Sequence, residues 1–183
     1  MAALNANGFT LTEVLVATCI LTAGAVGAAS LQAKALLATR TVAARDNALQ
    51  LAGELAERIR AAAAALPDDS DNPFLALDYQ AGTDPAPDPG AACYRGSCSA
   101  QEQARFDLAE WERRLAGAVP GARVRVCRDG SPWDAATRAY AWACQPASGA
   151  DPAAALLIKI GWPGATAQAD APALVQNVAA SAP

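Results

Sequence analysis

The sequence predicts an α+β fold: a long N-terminal α-helix packed on a small antiparallel β-sheet. Three observations carry the prediction. Apolar residues run almost unbroken from Phe9 to Ala33, a helical pattern continues from there to Leu66, and after Gly121 the pattern changes to a period of two.

The first element follows from the apolar run. Between Phe9 and Ala33 the one charged residue is Glu13, and Lys34 closes the run. A helix crosses the hydrocarbon core of a bilayer with about 20 apolar residues, so this segment is long enough to span. An ionisable group inside such a span is costly, which makes Glu13 a functional candidate. Lys34, Arg40 and Arg45 follow the span, and residues 1–8 carry no Lys or Arg, so loop charge alone leaves the orientation open. Beyond the span, Leu51, Leu55 and Ile59 lie four apart and form an apolar stripe, while Glu54 and Arg58 are spaced to pair. Ala61 to Ala65 favour helix, and Pro67 stops it. One helix over 9–66 would be about 87 Å long. Its first half is apolar all round and its second half amphipathic.

From Pro67 to Gly90 the chain holds five prolines and six aspartates, and reads as a loop. Asp69, Asp71 and Asp78 lack the spacing, the glycine and the closing glutamate of a calcium loop, so a solvated linker is expected. Phe74, Leu75, Leu77 and Tyr79 are the residues that would dock it. Ser99 and Glu102 form a capping box that opens a second helix, with Ala104, Leu108, Trp111 and Leu115 on one face and an end near Gly117, before Pro120. Glu110 and Glu112 beside Arg113 and Arg114 read as a solvated charged face. Three strands are expected next: Val124 and Val126 alternating with Arg123 and Arg125; Tyr140, Trp142 and Cys144; and Leu156, Ile158, Ile160 and Trp162 opposite Lys159. Leu174 to Val178 could add a short edge strand. Arg123, Arg125 and Arg128 make a basic strip on an exposed strand face.

Composition narrows the function. Lys and Arg number 14 against 18 Asp and Glu, a net charge of −4, which argues against a nucleic-acid partner bound through a broad basic face. There is no histidine, so Ser-His-Asp and Cys-His catalysis and every His-containing metal site are excluded. No Gly-rich phosphate loop stands out. The chain reads as a non-enzyme with no cofactor and no metal. Of five cysteines, Cys19 lies in the apolar span and is expected to be a small buried thiol. The other four allow three pairings. The favoured one is Cys93–Cys98, which closes a short loop, with Cys127–Cys144, which joins two expected strands. Neither pair is C-x-x-C, and the spacings do not repeat as those of a four-thiolate metal site do.

Gly8-Phe9-Thr10-Leu11-Thr12-Glu13-Val14-Leu15-Val16-Ala17 resembles the prepilin cleavage motif of type IV pilins and type II secretion pseudopilins. Leu21 to Gln32, Leu51-Ala52 through Glu57-Arg58-Ile59-Arg60-Ala61, Asp107 to Leu115, Val119-Pro120-Gly121 and Ile158 to Trp162 resemble the PilV-type minor pilins. The resemblance implies a leader over 1–8, cut by a prepilin peptidase between Gly8 and Phe9, and N-methylation of Phe9. It implies a span and fibre core over 9–33, an amphipathic half-helix over 34–66 and an exported head over 67–183. It also implies a structural subunit that primes or caps pilus assembly. The implied partners are other minor pilins, the major pilin, the inner-membrane assembly platform and inner-membrane lipid. The chain would sit in the inner membrane as a single pass with its head in the periplasm, and at the pilus surface after assembly. One departure is the leader, which carries no Lys or Arg. Two alternatives are a type II secretion pseudopilin and a secreted binding domain behind a signal peptide, for which Ala23-Gly24-Ala25 offers a small-residue site.

The chemistry of the motif stands without the resemblance. A glycine before the cut lets a protease approach the backbone closely. The cut leaves an amine at the end of an apolar helix, opposite in charge to Glu13. The two can pair between subunits staggered along a fibre, and in a low dielectric such a pair specifies register.

Overall fold

The computed structural model describes residues 10–66, 71–90, 93–145, 154–166, 168 and 170–178. The elements are helix α1 (Leu11–Ala65), a 3₁₀ turn (Pro73–Ala76), strand β1 (Asp78–Gln80), a second 3₁₀ turn (Cys93–Arg95), helix α2 (Ala100–Ala118), and strands β2 (Arg123–Arg128), β3 (Trp133–Asp134), β4 (Ala139–Tyr140), β5 (Leu156–Gly161) and β6 (Leu174–Asn177). This is the expected α+β architecture. Contacts divide the chain into two units, the first ending at Val42 and the second beginning at Ala43.

The first unit is the early part of α1. Its apolar side chains, among them Leu11, Val14, Leu15, Ile20, Leu21, Val26 and Leu31, are all exposed in the single chain. Cys19 is exposed too in the single chain, and among the described residues no second element packs on this stretch.

The second unit holds the core. Strands run antiparallel in the order β1-β2-β5-β6, with Tyr79 opposite Val124, Val124 opposite Ile160, and Ile160 opposite Leu174. Val124, Val126, Ile158 and Ile160 share a buried cluster with Leu51, Leu55 and Ile59 of α1 and with Trp111 and Leu115 of α2. Full burial of such a side chain stabilises by about 1.5–3 kcal/mol. The Trp111 indole N–H donates to Leu51 O at 2.9 Å, so the largest core side chain leaves no orphan donor. The capping box of α2 forms as read, Ser99 accepting from the Glu102 N–H and Glu102 from the Ser99 N–H. Arg58 joins the two helices, donating to Glu54 on α1 at 2.9 Å and to Asp107 O on α2 at 2.9 Å.

Two expectations need correction. The stretch read as a loop over 67–90 contains β1 and a 3₁₀ turn whose Phe74, with Leu77 and Tyr79, is buried; residues 67–70 of it lie outside the described residues. Frequent Pro and Asp masked a strand only three residues long. The expected strand through Tyr140, Trp142 and Cys144 is absent from the main sheet. Only Ala139–Tyr140 is strand, paired with Trp133–Asp134 in a separate two-stranded ribbon. Lys159, on the face of β5 opposite Ile158 and Ile160, is fully buried.

The burial of Lys159 shows how the sheet is layered. Its inner face meets α1, and the excursion from Asp129 to Gln145 covers its outer face. Lys159 donates to Asp129 at 2.5 Å and to the carbonyls of Ala141 and Ala143 at 2.8 Å each. Cys127–Cys144 ties the far end of the excursion to β2. Gly161 is glycine because a Cβ there would stand 2.9 Å from the Trp142 ring and 3.0 Å from Ala171 O.

Candidate functional site

The start of α1 is built from four consecutive residues, Thr10 to Glu13. Thr10 is the cap: its carbonyl accepts from Val14 N at 3.2 Å, and its hydroxyl accepts from Glu13 N at 3.3 Å. Glu13 Oε2 in turn accepts from Thr10 N at 3.1 Å and from the Thr10 hydroxyl at 3.2 Å. This is a second capping box, with Thr-x-x-Glu spacing that was present in the sequence and not read there. Glu13 thus has a local role in the single chain, closing orphan donors at the helix start. Its other oxygen, Oε1, makes no hydrogen bond among the described residues, and the residue is exposed. Gly8 and Phe9, the expected cleavage and methylation residues, lie outside the described residues.

Residues that follow Glu13 suit an apolar medium. One 18-residue window of α1 has mean hydropathy 2.1 and is entirely unburied by the rest of the chain. Each Ser or Thr from residue 12 to 41 has its hydroxyl bonded within the helix or its cap. Thr18 reaches Val14 O and Leu15 O, Thr22 Cys19 O, Ser30 Gly27 O, Thr39 Ala35 O and Thr41 Leu37 O, while Thr12 meets the Thr10 hydroxyl. In hydrocarbon an unsatisfied hydroxyl costs several kcal/mol, and these are satisfied without water.

Disulfides join Cys93 to Cys98 and Cys127 to Cys144, with Cα separations of 5.7 and 6.3 Å. Around the second, the Asp129 carboxylate receives Lys159, Ser131 N at 2.9 Å and Gln145 N at 3.1 Å. Burial alone would raise the Asp129 carboxyl; the Lys159 ammonium and the two backbone N–H groups outweigh it and hold the pKa below its ordinary value. The group anchors the excursion and has no opening to solvent, so it can hold structure but not receive a ligand.

The other charged residues singled out in the sequence are also accounted for. Arg123 binds Asp78 with both Nε and Nη2, at 3.1 and 3.2 Å, and stacks on Trp142; Arg125 donates to Trp142 O at 3.4 Å; Arg128 donates to Ala154 O at 3.5 Å. The basic strip is therefore engaged within the chain. Glu112 is not on a solvated face but half-buried; burial, with the Asp84 carboxylate adding to it, pushes its carboxyl up to about 7. Among the described residues no group of three or more Cys, Asp and Glu is placed to hold a metal.

A protein-family profile described as Tt1218-like, type IV pilin Tt1218, matches residues 30–109. No curated protein and no solved structure matches the chain. The match is a likeness to type IV pilins over less than half of the chain, from within α1 to within α2.

Proposed function

We propose that this chain is a minor pilin of the PilV type, made as a prepilin, which primes or caps type IV pilus assembly with other minor pilins. The observation that carries the reading is α1 itself. From Val14 to Ala33 it is exposed and uncharged with self-satisfied hydroxyls, and the same helix continues as the core helix of the second unit. A helix apolar on every side requires lipid or neighbouring helices around it, and a pilin meets them in turn, lipid in the membrane and helices in the fibre. Support for the pilin class comes from the profile match, and support for the subfamily from the motifs quoted above.

In this reading the peptidase cuts after Gly8, the new amine of Phe9 is methylated, and Glu13 pairs with the amine of a neighbouring subunit. Within one chain the Glu13 carboxylate caps its own helix through Oε2, which leaves Oε1 to accept from a partner. The head stands in the periplasm, the span in the inner membrane. The test is deletion of the gene and complementation in the native host, with a count of surface pili and a search for the chain in sheared fibres. Loss of pili on deletion, with the chain present in trace amounts in fibres, is expected. Normal piliation with loss of protein secretion would overturn the reading in favour of a type II secretion pseudopilin.

A further inference from the structure

We propose that the head carries a binding site for a single neutral pyranose, in the cleft lined by Trp142, Trp162, Gln80, Arg123 and Asp170 over Gly161. The cleft lies where β2 and β5 end side by side, Arg123 being the register partner of Gly161.

Its walls are held in place. Trp142 belongs to the excursion latched by Cys127–Cys144, its ring lies 4.6 Å from the Arg123 guanidinium, and it leans over Gly161, where no side chain fits beneath it. Arg123 is in turn fixed by Asp78. Ligand sites are concave, with a few fixed polar groups among aromatic walls, and this is such an arrangement.

The polar groups select the chemistry. Among the described residues, neither the Trp142 nor the Trp162 indole N–H, nor the Gln80 amide, nor the Asp170 carboxylate makes a hydrogen bond. Two indole donors, one amide that both donates and accepts, and one acceptor carboxylate match a ring of hydroxyls, each of which donates and accepts. Charge disfavours the competitors. Arg123 in the lining opposes a cationic ligand, although two indoles and a carboxylate would otherwise suit one. Asp170 opposes an anion, and the Nε and Nη2 donors of Arg123 that could fork onto one are already held by Asp78. The free volume of about 80 Å³ corresponds to about three waters at about 30 Å³ each. That is room for one edge of one sugar ring rather than for a chain.

The test uses the full-length chain, ¹⁵N-labelled and held in uncharged polyoxyethylene ether micelles, because a maltoside detergent would itself present sugars and a phosphocholine one a quaternary ammonium and a phosphate. The four indole N–H signals are assigned by single Trp→Phe variants. Methyl β-galactopyranoside, methyl α-glucopyranoside and N-acetylglucosamine are titrated to roughly 20 mM, above the millimolar affinity expected of one small ring. At least one sugar should move the Trp142 and Trp162 signals saturably and leave the buried Trp111 signal in place. Asp170→Asn changes an exposed residue and should weaken binding about tenfold or more, the loss of a charge-assisted hydrogen bond. The proposal is overturned by any of four results: no movement with any sugar, movement of Trp133 alone, undiminished binding by Asp170→Asn, or a response to trimethyl-lysine or phosphate in place of the sugars.

Discussion

Glu13 has two claims on its carboxylate. In the single chain Oε2 caps α1 through Thr10; in an assembled fibre the proposed partner is a neighbour's amine. Glu13→Ala should leave the head folded, because the core begins at Ala48, and should cost the helix start about 0.5–2 kcal/mol of capping. Docking to partner pilins should fail, since removing one side of a buried pair costs on the order of 3–5 kcal/mol. Glu13→Gln keeps the side-chain oxygen for the cap but not the charge, so it separates the roles. Co-purification with other minor pilins from membranes reads the outcome, and wild-type recovery of both variants would remove the charge-pairing account. Lys159 poses the opposite case, a charge with a purely internal task. Lys159→Met should destabilise the chain by about 3–5 kcal/mol, by stranding the Asp129 carboxylate. Replacing both partners by apolar residues often restores stability elsewhere. Here it should not, because Ser131 N, Gln145 N and the carbonyls of Ala141 and Ala143 would all lose their partners. Urea unfolding of Lys159→Met and of Lys159→Met/Asp129→Leu checks both statements.

At the scale of elements, the Asp129–Gln145 excursion and helix α2 each make a distinct prediction. The Cys127–Cys144 bridge closes a separation of 17 residues and the Cys93–Cys98 bridge one of 5. Loop-closure entropy assigns about 3 kcal/mol to the first and about 2 to the second. The first also holds the covering layer over Lys159, so Cys127→Ser/Cys144→Ser should lower the thermal midpoint more than Cys93→Ser/Cys98→Ser; the reverse order would show that the excursion holds without its bridge. On α2, Glu112 introduces pH dependence. Its folded pKa is raised from 4.5 to about 7 by burial and by Asp84. Between those values the folded chain keeps a proton that the unfolded chain loses, so stability falls as pH rises through the window. Glu112→Gln should therefore raise the thermal midpoint at pH 8 and leave it unchanged at pH 4, and equal effects at both would disprove the burial account.

For the whole molecule, the question is which medium surrounds each unit. The second unit buries its apolar side chains in one core shared by two helices and a sheet. The first buries none of its own, and lipid is the expected solvent for it before assembly. Processing should then be a membrane event. Gly8→Val places a β-branched side chain where a peptidase must approach the backbone. Intact-mass analysis of membrane-bound protein should show the precursor retaining Met1 to Gly8 in the variant and losing it in the wild type. Removal of those residues in both would count against a prepilin.

Much of the architecture was legible in the residues because it rests on local periodicity. The stripe of Leu51, Leu55 and Ile59, the capping box at Ser99 and Glu102 and the alternation of Val124 and Val126 each specify an element and its buried face from neighbours a few positions away. The apolar run after Glu13 specified a helix in the same way, and the Thr10–Glu13 cap was there to be read. Strand period says which residues share a face but not what covers that face, so it placed Lys159 opposite the apolar row and could not show the excursion that buries it. The same limit hid the half-burial of Glu112 and the engagement of Arg123 with Asp78 and Trp142, partners far away in sequence. The short strand β1 has too few residues to show a period at all. It exists because β2 offers it an edge, with Tyr79 opposite Val124. Local sequence determined the elements and their inward faces, because side-chain spacing and caps act within one or two turns of chain. Tertiary structure alone decided the second layer and the cleft, because both are made by chain segments that meet only after the sheet has formed.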